Sequence, residues 1–404
     1  MKVCFETFGC RLNRAEALDM EAAFVAAGWT RAESHRDADM IVVRCCAVTG
    51  RAQANSERLV SHLRRKYPAK RVVVAGCTVD RRNLNLVPPE VSSALAAGAE
   101  ASPLPTRTSR AYLKVQDGCS GECAFCIVPR FRGRSVSYAP ETLVRRAVRF
   151  AEAGYGEIVI TGCNLSMYSS GGKNLADLLA ALSDAVPGCR LRLSSLEPSP
   201  VARDVVAVMR ERANICNFLH VPVQSGSNRI LTAMRRPYVA RDVELLLREA
   251  AATIRDVGLG CDIIAGFPDE RDADHAATLS LVERLPFSNV HVFPFSSRPG
   301  TVAAGMPGQL PHDVRHARAH EIAAVAVSKR IAFAKRFRGR RTEIVVEDPE
   351  SVGGWTPEYL WCEVGENRAE AIRAKKGAGA FAKKSRVEMH VRDVCGDKLV
   401  GDPV

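Results

Sequence analysis

The sequence predicts an α/β protein of three domains: an N-terminal α/β domain over 1–103, a partial (β/α)6 barrel over 104–336 and a small all-β domain over 337–404. Two observations lead to this prediction. Short apolar strands alternate with helical patterns through the first two segments, as is typical of parallel sheets. The last segment has valine-rich stretches separated by glycine-rich turns, which indicates an all-β domain of OB-like size.

The N-terminal domain is predicted to contain three strands and two helices. The strands are expected at 3–8, 40–43 and 71–75, and the helices at 15–27 and 52–66. Gly28 follows the first helix in the position of a C-cap. Residues 98–109 are rich in Gly, Ala, Ser, Pro and Thr, and we interpret them as a linker.

The barrel is predicted from six βα-like units. Their strands are expected at 111–115, 157–161, 190–194, 218–223, 260–265 and 289–293. Functional side chains are expected at the carboxyl ends of these strands, where α/β barrels hold their active sites. The strands of the C-terminal domain are expected at 342–346, 360–364 and 387–391.

The composition is that of a globular, non-membrane protein. The chain has 404 residues, 47% of them hydrophobic and 25% charged, and its length allows two to four domains. No apolar run reaches the roughly 18 residues that a membrane span needs. Glu6 places a carboxylate too early for a signal peptide, so the cytoplasm is the expected compartment.

The charge balance points to a polyanionic partner. The chain carries 57 Lys and Arg against 45 Asp and Glu, a net charge of +12. Such an excess favours nucleic acid as the simplest partner.

The strongest chemical signal is the cysteine triad Cys119, Cys123 and Cys126, spaced C-x₃-C-x₂-C directly after the first barrel strand. Closely spaced thiolates hold iron–sulfur clusters. Three of them can hold three irons of a 4Fe–4S cluster and leave the fourth iron open to a small molecule. A zinc ion is the competing interpretation. Zinc usually takes four protein ligands, but the next cysteine after this triad is Cys163, which is far along the chain.

The other cysteines fall into two groups. Cys10, Cys46 and Cys77 each follow a predicted strand or stand at a turn, but their long spacings prove nothing alone. Seven further cysteines are expected to be small buried core residues: Cys4, Cys163, Cys189, Cys216, Cys261, Cys362 and Cys395.

The loop from Cys119 to Cys126 resembles that of the radical S-adenosylmethionine (SAM) superfamily. The resemblance implies that the open iron chelates the amino and carboxylate groups of SAM. It also implies that one electron cleaves SAM to methionine and a 5′-deoxyadenosyl radical. The protein would orient the reactants and exclude water.

The strings around the second set of cysteines are similar to those of the methylthiotransferase N-terminal domain. They read Thr-Phe-Gly-Cys-Arg-Leu-Asn over 7–13, Cys-Ala-Val-Thr over 46–49 and Val-Ala-Gly-Cys over 74–77. The resemblance implies a second 4Fe–4S cluster on Cys10, Cys46 and Cys77. The family usually has Asn-Thr before the middle cysteine, whereas this chain has Arg44 and Cys45, which leaves Cys45 as an adjacent alternative ligand.

Further strings are similar to the branch that acts on threonylcarbamoyladenosine in tRNA, the MtaB type. They lie at 110–119, 132–135, 194–198, 220–227 and 234–238, and Ser-Leu-Glu-Pro within 194–198 discriminates best. The resemblance implies transfer of a methylthio group to C2 of the adenine at tRNA position 37, with one SAM as methyl donor and a second as radical source. Isopentenyladenosine tRNA and a ribosomal-protein aspartate are the alternative substrates.

Candidate SAM contacts lie at the ends of barrel strands. They are Thr161, Gly162, Glu197, Gln224, Asp262 and Gly266. Thr161 and Gly162 resemble the position that meets the SAM amino group, and the stretch 264–268 resembles the one that packs on adenine. His291 is expected to be an ordinary barrel histidine.

The partners are expected from charge and resemblance. The run 329–341 carries seven Lys and Arg and joins the barrel to a C-terminal domain that resembles the tRNA-binding TRAM domain. We therefore expect the tRNA anticodon stem-loop as a partner, with phosphate contacts from this run, an electron donor of the flavodoxin or ferredoxin type, and a monomer. A non-catalytic zinc-binding RNA module is the alternative from another functional class.

Overall fold

The computed structural model describes residues 1–46, 50–77, 87–96, 108–365, 368–372 and 381–404. Residues 47–49 of one cysteine string, the expected domain boundary at 103 and most of the expected linker lie outside these ranges. In the part of the chain that the structure describes, no helix combines the length and apolar character that crossing a bilayer requires.

The N-terminal domain is a parallel sheet with helices on both faces. Its elements are β1 (Lys2–Thr7), α1 (Arg11–Ala26), β2 (Thr30–Arg31), β3 (Met40–Cys45), α2 (Gly50–Lys66), β4 (Arg71–Gly76) and α3 (Pro89–Ala96). The strand order is β2-β1-β3-β4. Alternate residues of β3 enter two separate cores, because successive side chains of a strand face opposite sides: Val42 packs with Phe24 on one face and Val43 with Leu63 on the other.

Helix α1 begins four residues earlier than the sequence pattern predicts. The added turn contains Asn13, a polar residue that is fully buried. Its side-chain amide donates to the carbonyl oxygens of Phe8 (2.5 Å) and Cys45 (3.3 Å). The hydrophobic pattern missed this turn because a polar side chain takes an inward position there.

The barrel follows with six parallel strands, their helices, and four short strands that form two separate two-stranded sheets. Its elements are β5 (Ala111–Lys114), β6 (Gln116–Asp117), α4 (Val128–Arg132), β7 (Val136–Ser137), α5 (Pro140–Glu152), β8 (Glu157–Thr161), β9 (Ser169–Ser170), β10 (Lys173–Asn174), α6 (Leu175–Ala185), β11 (Arg190–Leu193), α7 (Pro200–Glu211), β12 (Phe218–Gln224), α8 (Asn228–Ala233), α9 (Ala240–Thr253), β13 (Gly258–Ala265), α10 (Asp272–Arg284) and β14 (Asn289–Pro294). The parallel sheets β5-β8-β11 and β12-β13-β14 meet at a bridge between Ser195 and His220. The six expected barrel strands are confirmed, and the barrel is incomplete.

The N-terminal domain covers part of the concave side of this barrel. Ala15 and Leu18 of α1 pack against Tyr112 of β5 and Val159 of β8 in one buried cluster. Alternate residues of the same strands, such as Ile160, face the outer helices in the main core. The first domain therefore closes on the inner face of the second.

Helix α11 (His312–Lys335) leads into a closed five-stranded barrel. The strands are β15 (Arg341–Asp348), β16 (Gly353–Trp355), β17 (Trp361–Glu363), β18 (Arg386–Cys395) and β19 (Lys398–Pro403), in the order β15-β16-β17-β19-β18. This confirms the expected all-β domain of OB-like size. The sequence pattern missed β16 because glycines replace apolar side chains: a β-carbon on Gly354 would stand 2.0 Å from the Val345 carbonyl oxygen.

A buried ion cluster joins the C-terminal domain to the α/β barrel. Glu157 of β8 is fully buried and accepts hydrogen bonds from Arg192 (2.7 and 2.9 Å) and Arg190 (2.8 Å). The remaining N–H groups of Arg192 donate to the carbonyl oxygens of Thr356 (2.8 Å) and Pro357 (3.1 Å) in the C-terminal domain. Because Glu157, Arg190 and Arg192 are all buried, these charges depend on one another.

Replacing Glu157 with Gln should therefore destabilise the protein by about 3–5 kcal/mol, the usual cost of leaving buried charges without their partner. Glu388→Gln is the matched control, since Glu388 pairs with Arg341 at the surface, where both side chains are more than half exposed, and a loss below about 1 kcal/mol is expected. Thermal and urea unfolding followed by circular dichroism compare the two. Equal unfolding midpoints would contradict a structural role for the Glu157 cluster.

Candidate active site

The loop that carries Cys119, Cys123 and Cys126 leaves the barrel after β6 and ends in α4. The amide of Cys119 donates to the carbonyl oxygen of Gly133 (3.0 Å), which ties the start of the loop to the end of α4, and the amide of Cys126 donates to the carbonyl oxygen of Cys123 (3.0 Å) in a turn within the loop. A β-carbon on Gly121 would stand 3.3 Å from the sulfur of Cys119 and 3.9 Å from that of Cys123. The loop therefore folds its thiols around a glycine, the residue with the least bulk.

Arg236 places a positive charge beside this loop. Its guanidinium donates to the sulfur of Cys123 (2.9 Å) and to the Tyr238 hydroxyl (2.9 Å), and it pairs with Glu197. Burial raises the pKa of the Cys123 thiol, and the charge of Arg236 opposes that shift. Burial also raises the pKa of Cys126 to about 12. Arg236 thus favours the thiolate form that metal binding requires.

The second set of cysteines lies at the carboxyl ends of three neighbouring parallel strands. Cys10 follows β1, Cys46 follows β3 and Cys77 follows β4. Gly9 has a φ of +99° and no room for a side chain, because a β-carbon there would stand 2.7 Å from the Cys46 sulfur. The Cys77 amide donates to the Cys45 carbonyl oxygen (3.1 Å). The three loops are therefore packed on one another.

Cys45 and Cys46 occupy different surroundings. Cys45 ends β3 and is buried in the core cluster that holds Val43 and Leu63. Cys46 stands beyond the end of the strand, next to Gly9. The alternation of a strand thus turns Cys45 into the core and leaves Cys46 with the loops.

Arg132 connects the two cysteine sets. It ends α4, six residues after Cys126, and its Nε donates to the sulfur of Cys77 across the domain contact (3.2 Å). Ile127, next to Cys126, packs against Cys77 in a small buried cluster. Burial raises the pKa of the Cys77 thiol, and Arg132 opposes the shift. The two cysteine sets therefore flank one interdomain contact.

The spacing of the thiols bears on the choice between a cluster and a single ion. A zinc ion bonded at about 2.3 Å to each thiolate holds its sulfurs no more than about 4.6 Å apart. Among the described residues, the groups of three metal-binding side chains with ligand atoms within 4.8 Å of one another are Cys4/Glu6/His35 and His220/Asp262/His291. Neither group contains a cysteine of the two sets, so among the described residues these sulfurs are not gathered at the spacing of a single zinc ion.

The chain is similar to proteins of two known families. The family model of the radical SAM superfamily matches residues 113–282, and that of the uncharacterized protein family UPF0004 matches residues 2–97. The threonylcarbamoyladenosine tRNA methylthiotransferase MtaB of Bacillus subtilis is 31% identical over 387 residues, which cover 86% of this chain and 85% of that protein. The chain belongs to the radical SAM methylthiotransferase family.

The chain is also similar to relatives of a second type and to solved structures of radical SAM enzymes. The tRNA-2-methylthio-N(6)-dimethylallyladenosine synthase of Chlorobium chlorochromatii is 33% identical and covers 78% of this chain and 80% of its own length. The radical SAM methyltransferase TsrM from Kitasatospora setae shares the fold, with a TM-score of 0.52, 14% identity and 75% coverage of both chains. This methylthiotransferase is thus an enzyme that transfers sulfur-containing groups, and membership of its family implies a 4Fe–4S cluster and SAM.

The candidate SAM contacts of the methylthiotransferase lie at the strand ends with different partners. Glu197 pairs with Arg236 beside the cysteine loop. Thr161 is buried at the end of β8, and a β-carbon on Gly162 would stand 2.8 Å from a side-chain oxygen of Gln116. These positions therefore lie against the strand that leads into the cysteine loop.

The remaining candidates lie on the other half of the barrel. Gln224 is buried with a φ of +68°, and Gly266 has a φ of +73° with Arg315 directly above it. Asp262 lies 3.4 Å from a ring nitrogen of His220 and 3.4 Å from one of His291. Burial opposes its ionisation, but the two histidines hold the pKa of Asp262 below its usual range.

Two expectations about ordinary residues need correction. Cys395 is exposed, as the last residue of β18, and Cys163 is only partly buried, with its sulfur 3.7 Å from Asp117. Both leave the apolar cores because their strands end there. Cys4, Cys189, Cys216, Cys261 and Cys362 are buried as expected.

The basic run of the methylthiotransferase is largely paired within the protein. Five of its seven cations face carboxylates: Arg330 with Asp397, Arg336 and Arg340 with Asp256, Arg338 with Asp393, and Arg341 with Glu388. Asp256 precedes β13, so its two pairs link the α/β barrel to the segment that enters the C-terminal domain. Most cations of the run are therefore already paired within the protein.

The functional residues that sequence reasoning missed are Arg132, Arg236 and Asn13. Each lies inside a string that was noted for its resemblance, at 132–135, 234–238 and 7–13, but none was given a role. Arginine is common in this basic chain, so the sequence gives no signal that separates Arg132 and Arg236 from the other arginines. Only their burial beside a thiol distinguishes them.

Glu16 is the acidic centre of the contact between the two cysteine sets. It accepts hydrogen bonds from Arg132 (2.8 and 3.0 Å) and Lys114 (2.6 Å), and it also pairs with Arg44. Burial opposes ionisation, but the hydrogen bond from Arg132 and the charge of Lys114 lower the pKa of Glu16 to about 2.

Glu16→Gln should therefore lower the free energy of unfolding by about 3 kcal/mol near neutral pH. Because the folded-state pKa is depressed, this stabilisation is present above the ordinary value of 4.5 and is lost as the pH falls toward 2. Urea unfolding of both proteins at several pH values should show a constant difference above about pH 5.5 that narrows below about pH 4.5. A difference that does not change with pH would exclude this ion pairing as its source.

Proposed function

We propose that this chain is a tRNA methylthiotransferase that adds a methylthio group to C2 of N6-threonylcarbamoyladenosine beside the anticodon. The observation that carries the proposal is the pair of cysteine sets on the two sides of one interdomain contact, joined by Arg132. Two metal centres held that close suit a reaction in which one activates the substrate and the other delivers sulfur.

In this proposal Cys119, Cys123 and Cys126 hold the 4Fe–4S cluster that binds SAM. When bound, the 4Fe–4S cluster and SAM together supply one-electron cleavage of SAM. This chemistry lets the enzyme act on a carbon that lacks an acidic proton. Acid–base catalysis has no access to C2–H of adenine, because that hydrogen is neither acidic nor next to a leaving group. Arg236 and Glu197 orient charged groups beside the loop.

Cys10, Cys46 and Cys77 hold the second cluster in this proposal. Cys46 is favoured over Cys45 because the Cys45 thiol lies in the core. Asn13 binds the carbonyl oxygens of two of the three loops, so it keeps the thiols in place. Arg132 donates to the Cys77 sulfur, and hydrogen bonds to cluster sulfurs are among the factors that set cluster potentials.

The choice of threonylcarbamoyladenosine rests on the branch-specific strings, above all Ser-Leu-Glu-Pro within 194–198. Residues of this string have contacts at the candidate site: Ser195 bonds His220 (3.0 Å), and Glu197 pairs with Arg236. Both named types of relative, those for threonylcarbamoyladenosine and those for dimethylallyladenosine, are about equally similar to this chain.

Analysis of tRNA nucleosides by mass spectrometry tests this choice. A strain that lacks the gene should lose the methylthio form of threonylcarbamoyladenosine, and the purified protein should restore it on tRNA from that strain. Loss of the methylthio form of isopentenyladenosine instead would show that the substrate is isopentenyladenosine tRNA. If the tRNA nucleosides of that strain are unchanged and a ribosomal-protein aspartate has lost its modification, the proposal of a tRNA substrate is wrong.

Single cysteine replacements should separate the two centres. Cys123→Ala should abolish reductive SAM cleavage and keep about half of the iron, because the second set loads independently. Cys10→Ala, at an exposed position, should keep slow SAM cleavage but give no methylthio product. Cys395→Ala, also exposed, is the control and should resemble the parent protein in iron, deoxyadenosine and product.

The outcome for Cys10→Ala decides the role of the second set. Normal methylthio product from that variant would remove Cys10 from the mechanism. Deoxyadenosine formation by an iron-loaded Cys123→Ala protein would contradict the assignment of the first set.

RNA binding is proposed for the face around the end of α11 and the C-terminal barrel. Truncation after Lys335 is a poor test, because it would remove the carbonyl partners of Arg190 and Arg192 and so destabilise the α/β barrel. Lys335 and Arg338 are exposed and can be changed singly.

Replacing Lys335 and Arg338 together with Ala should weaken binding of a labelled anticodon stem-loop and leave SAM cleavage unchanged. For every phosphate that the variant no longer neutralises, the slope of log K against log salt should become shallower by about 0.7–0.9. Lys173→Ala, on the hairpin of β9 and β10, is the control for a cation elsewhere. Identical slopes for the double variant and the parent would place the RNA on another face.

A further inference from the structure

Three neighbouring strands of the barrel place His220, Asp262 and His291 together. His220 lies on β12, Asp262 on β13 and His291 on β14, and Asp262 stands directly opposite His291 in the strand register. Residues that alternate with these, such as Val221 and Cys261, pack into the outer core. Because strand side chains alternate, the three polar side chains face the concave side of the barrel.

The two distances from Asp262 to the histidines match those between ligands around an ion, and the ligand atoms of all three residues lie within 4.8 Å of one another. The Asp262 carboxylate oxygen lies 3.4 Å from Nε2 of His220 and 3.4 Å from Nδ1 of His291. Charge-assisted hydrogen bonds are shorter, about 2.7–2.9 Å. Nε2 of His220 is buried and has no hydrogen-bond partner among the described residues, although its side chain is 8% exposed.

Surrounding residues hold the group in this arrangement. Nδ1 of His220 is bonded to the Ser195 hydroxyl (3.0 Å), which directs Nε2 toward Asp262. Metal-binding histidines usually have such a partner on the other ring nitrogen. Gly260 leaves space for the ring, because a β-carbon there would stand 2.7 Å from Cδ2 of His220.

We propose that His220, Asp262 and His291 bind one divalent first-row transition ion, such as Zn²⁺ or Fe²⁺, separate from the iron–sulfur clusters. Two imidazoles and one carboxylate are a common ligand set for such ions, at bond lengths of about 2.0–2.2 Å. Ligand atoms at those bond lengths stand about 3.0–3.4 Å from one another in octahedral or tetrahedral geometry. In this proposal Asp262, which was predicted from the sequence as a SAM contact, is a metal ligand instead.

Three protein ligands leave coordination positions for water or a substrate group. The side chain of His291 is 50% exposed, so the site opens on that side, whereas the Phe218 ring lies 6.4 Å from that of His220 and is itself covered by Tyr359. The proposed ion therefore lies on the inner face of the barrel with access from one direction. This inference goes beyond the proposed function and does not depend on the identity of the RNA base.

The test uses the full chain with both clusters loaded under anaerobic conditions, so that the cysteines are occupied. The protein is dialysed against a series of Zn²⁺ concentrations, and zinc and iron are measured in the same samples. The parent should bind one Zn²⁺ per chain at unchanged iron. His291→Ala should weaken zinc binding by at least about tenfold, and it should fold normally because the side chain is half exposed.

His275→Ala is the matched control, because His275 also pairs with a carboxylate, Glu321 (2.7 Å), but lies on the outer helix α10. Its zinc binding should equal that of the parent. Zinc should also raise the unfolding temperature of the parent and of this control but not of His291→Ala. The proposal is overturned if the parent binds no zinc beyond its clusters, or if His291→Ala and Asp262→Asn retain the same zinc as the parent.

Discussion

Arg132 brings a positive charge into the contact between the N-terminal domain and the barrel, where its side chain is 6% exposed. A buried charge is stable only with partners, and Arg132 finds three: the Cys77 sulfur, Glu16 and Asp117. Each partner belongs to a segment that carries or adjoins a cysteine loop. Loss of this one guanidinium would leave two carboxylates and a thiol without their common donor, so the relative position of the two cysteine sets depends on it.

The barrel is incomplete, and the other domains make up for this at two places. Helix α1 covers Tyr112 and Val159 on the concave side, and carbonyl groups of the C-terminal domain complete the coordination of Arg190 and Arg192 around Glu157. The domain contacts in this protein therefore combine an apolar cluster at α1 with buried polar groups around Arg132 and Glu157. Such contacts fix orientation strongly, because a small displacement leaves charges unpaired.

The sequence predicted the elements with apolar periodicity well and the polar interior poorly. The barrel strands follow from runs such as 157–161, and the cysteine loops from their local strings. The predicted start of the first helix was too late in the chain, because the buried amide of Asn13 interrupts the apolar pattern. The basic run 329–341 suggested a free surface, yet most of its arginines face carboxylates from distant segments.

The sequence by itself determined the three-part α/β architecture, the C-x₃-C-x₂-C loop and the family, because these depend on residues that are near one another in the chain. Only the tertiary structure decided that Arg132 and Arg236 bond to cysteine sulfurs, that Cys45 lies in the core, and that two histidines flank Asp262. Those contacts join residues far apart in the chain, and one arginine or histidine has no local pattern that separates a buried partner from a solvated one. Burial supplies that distinction, since a charge removed from water must find its partner within the protein.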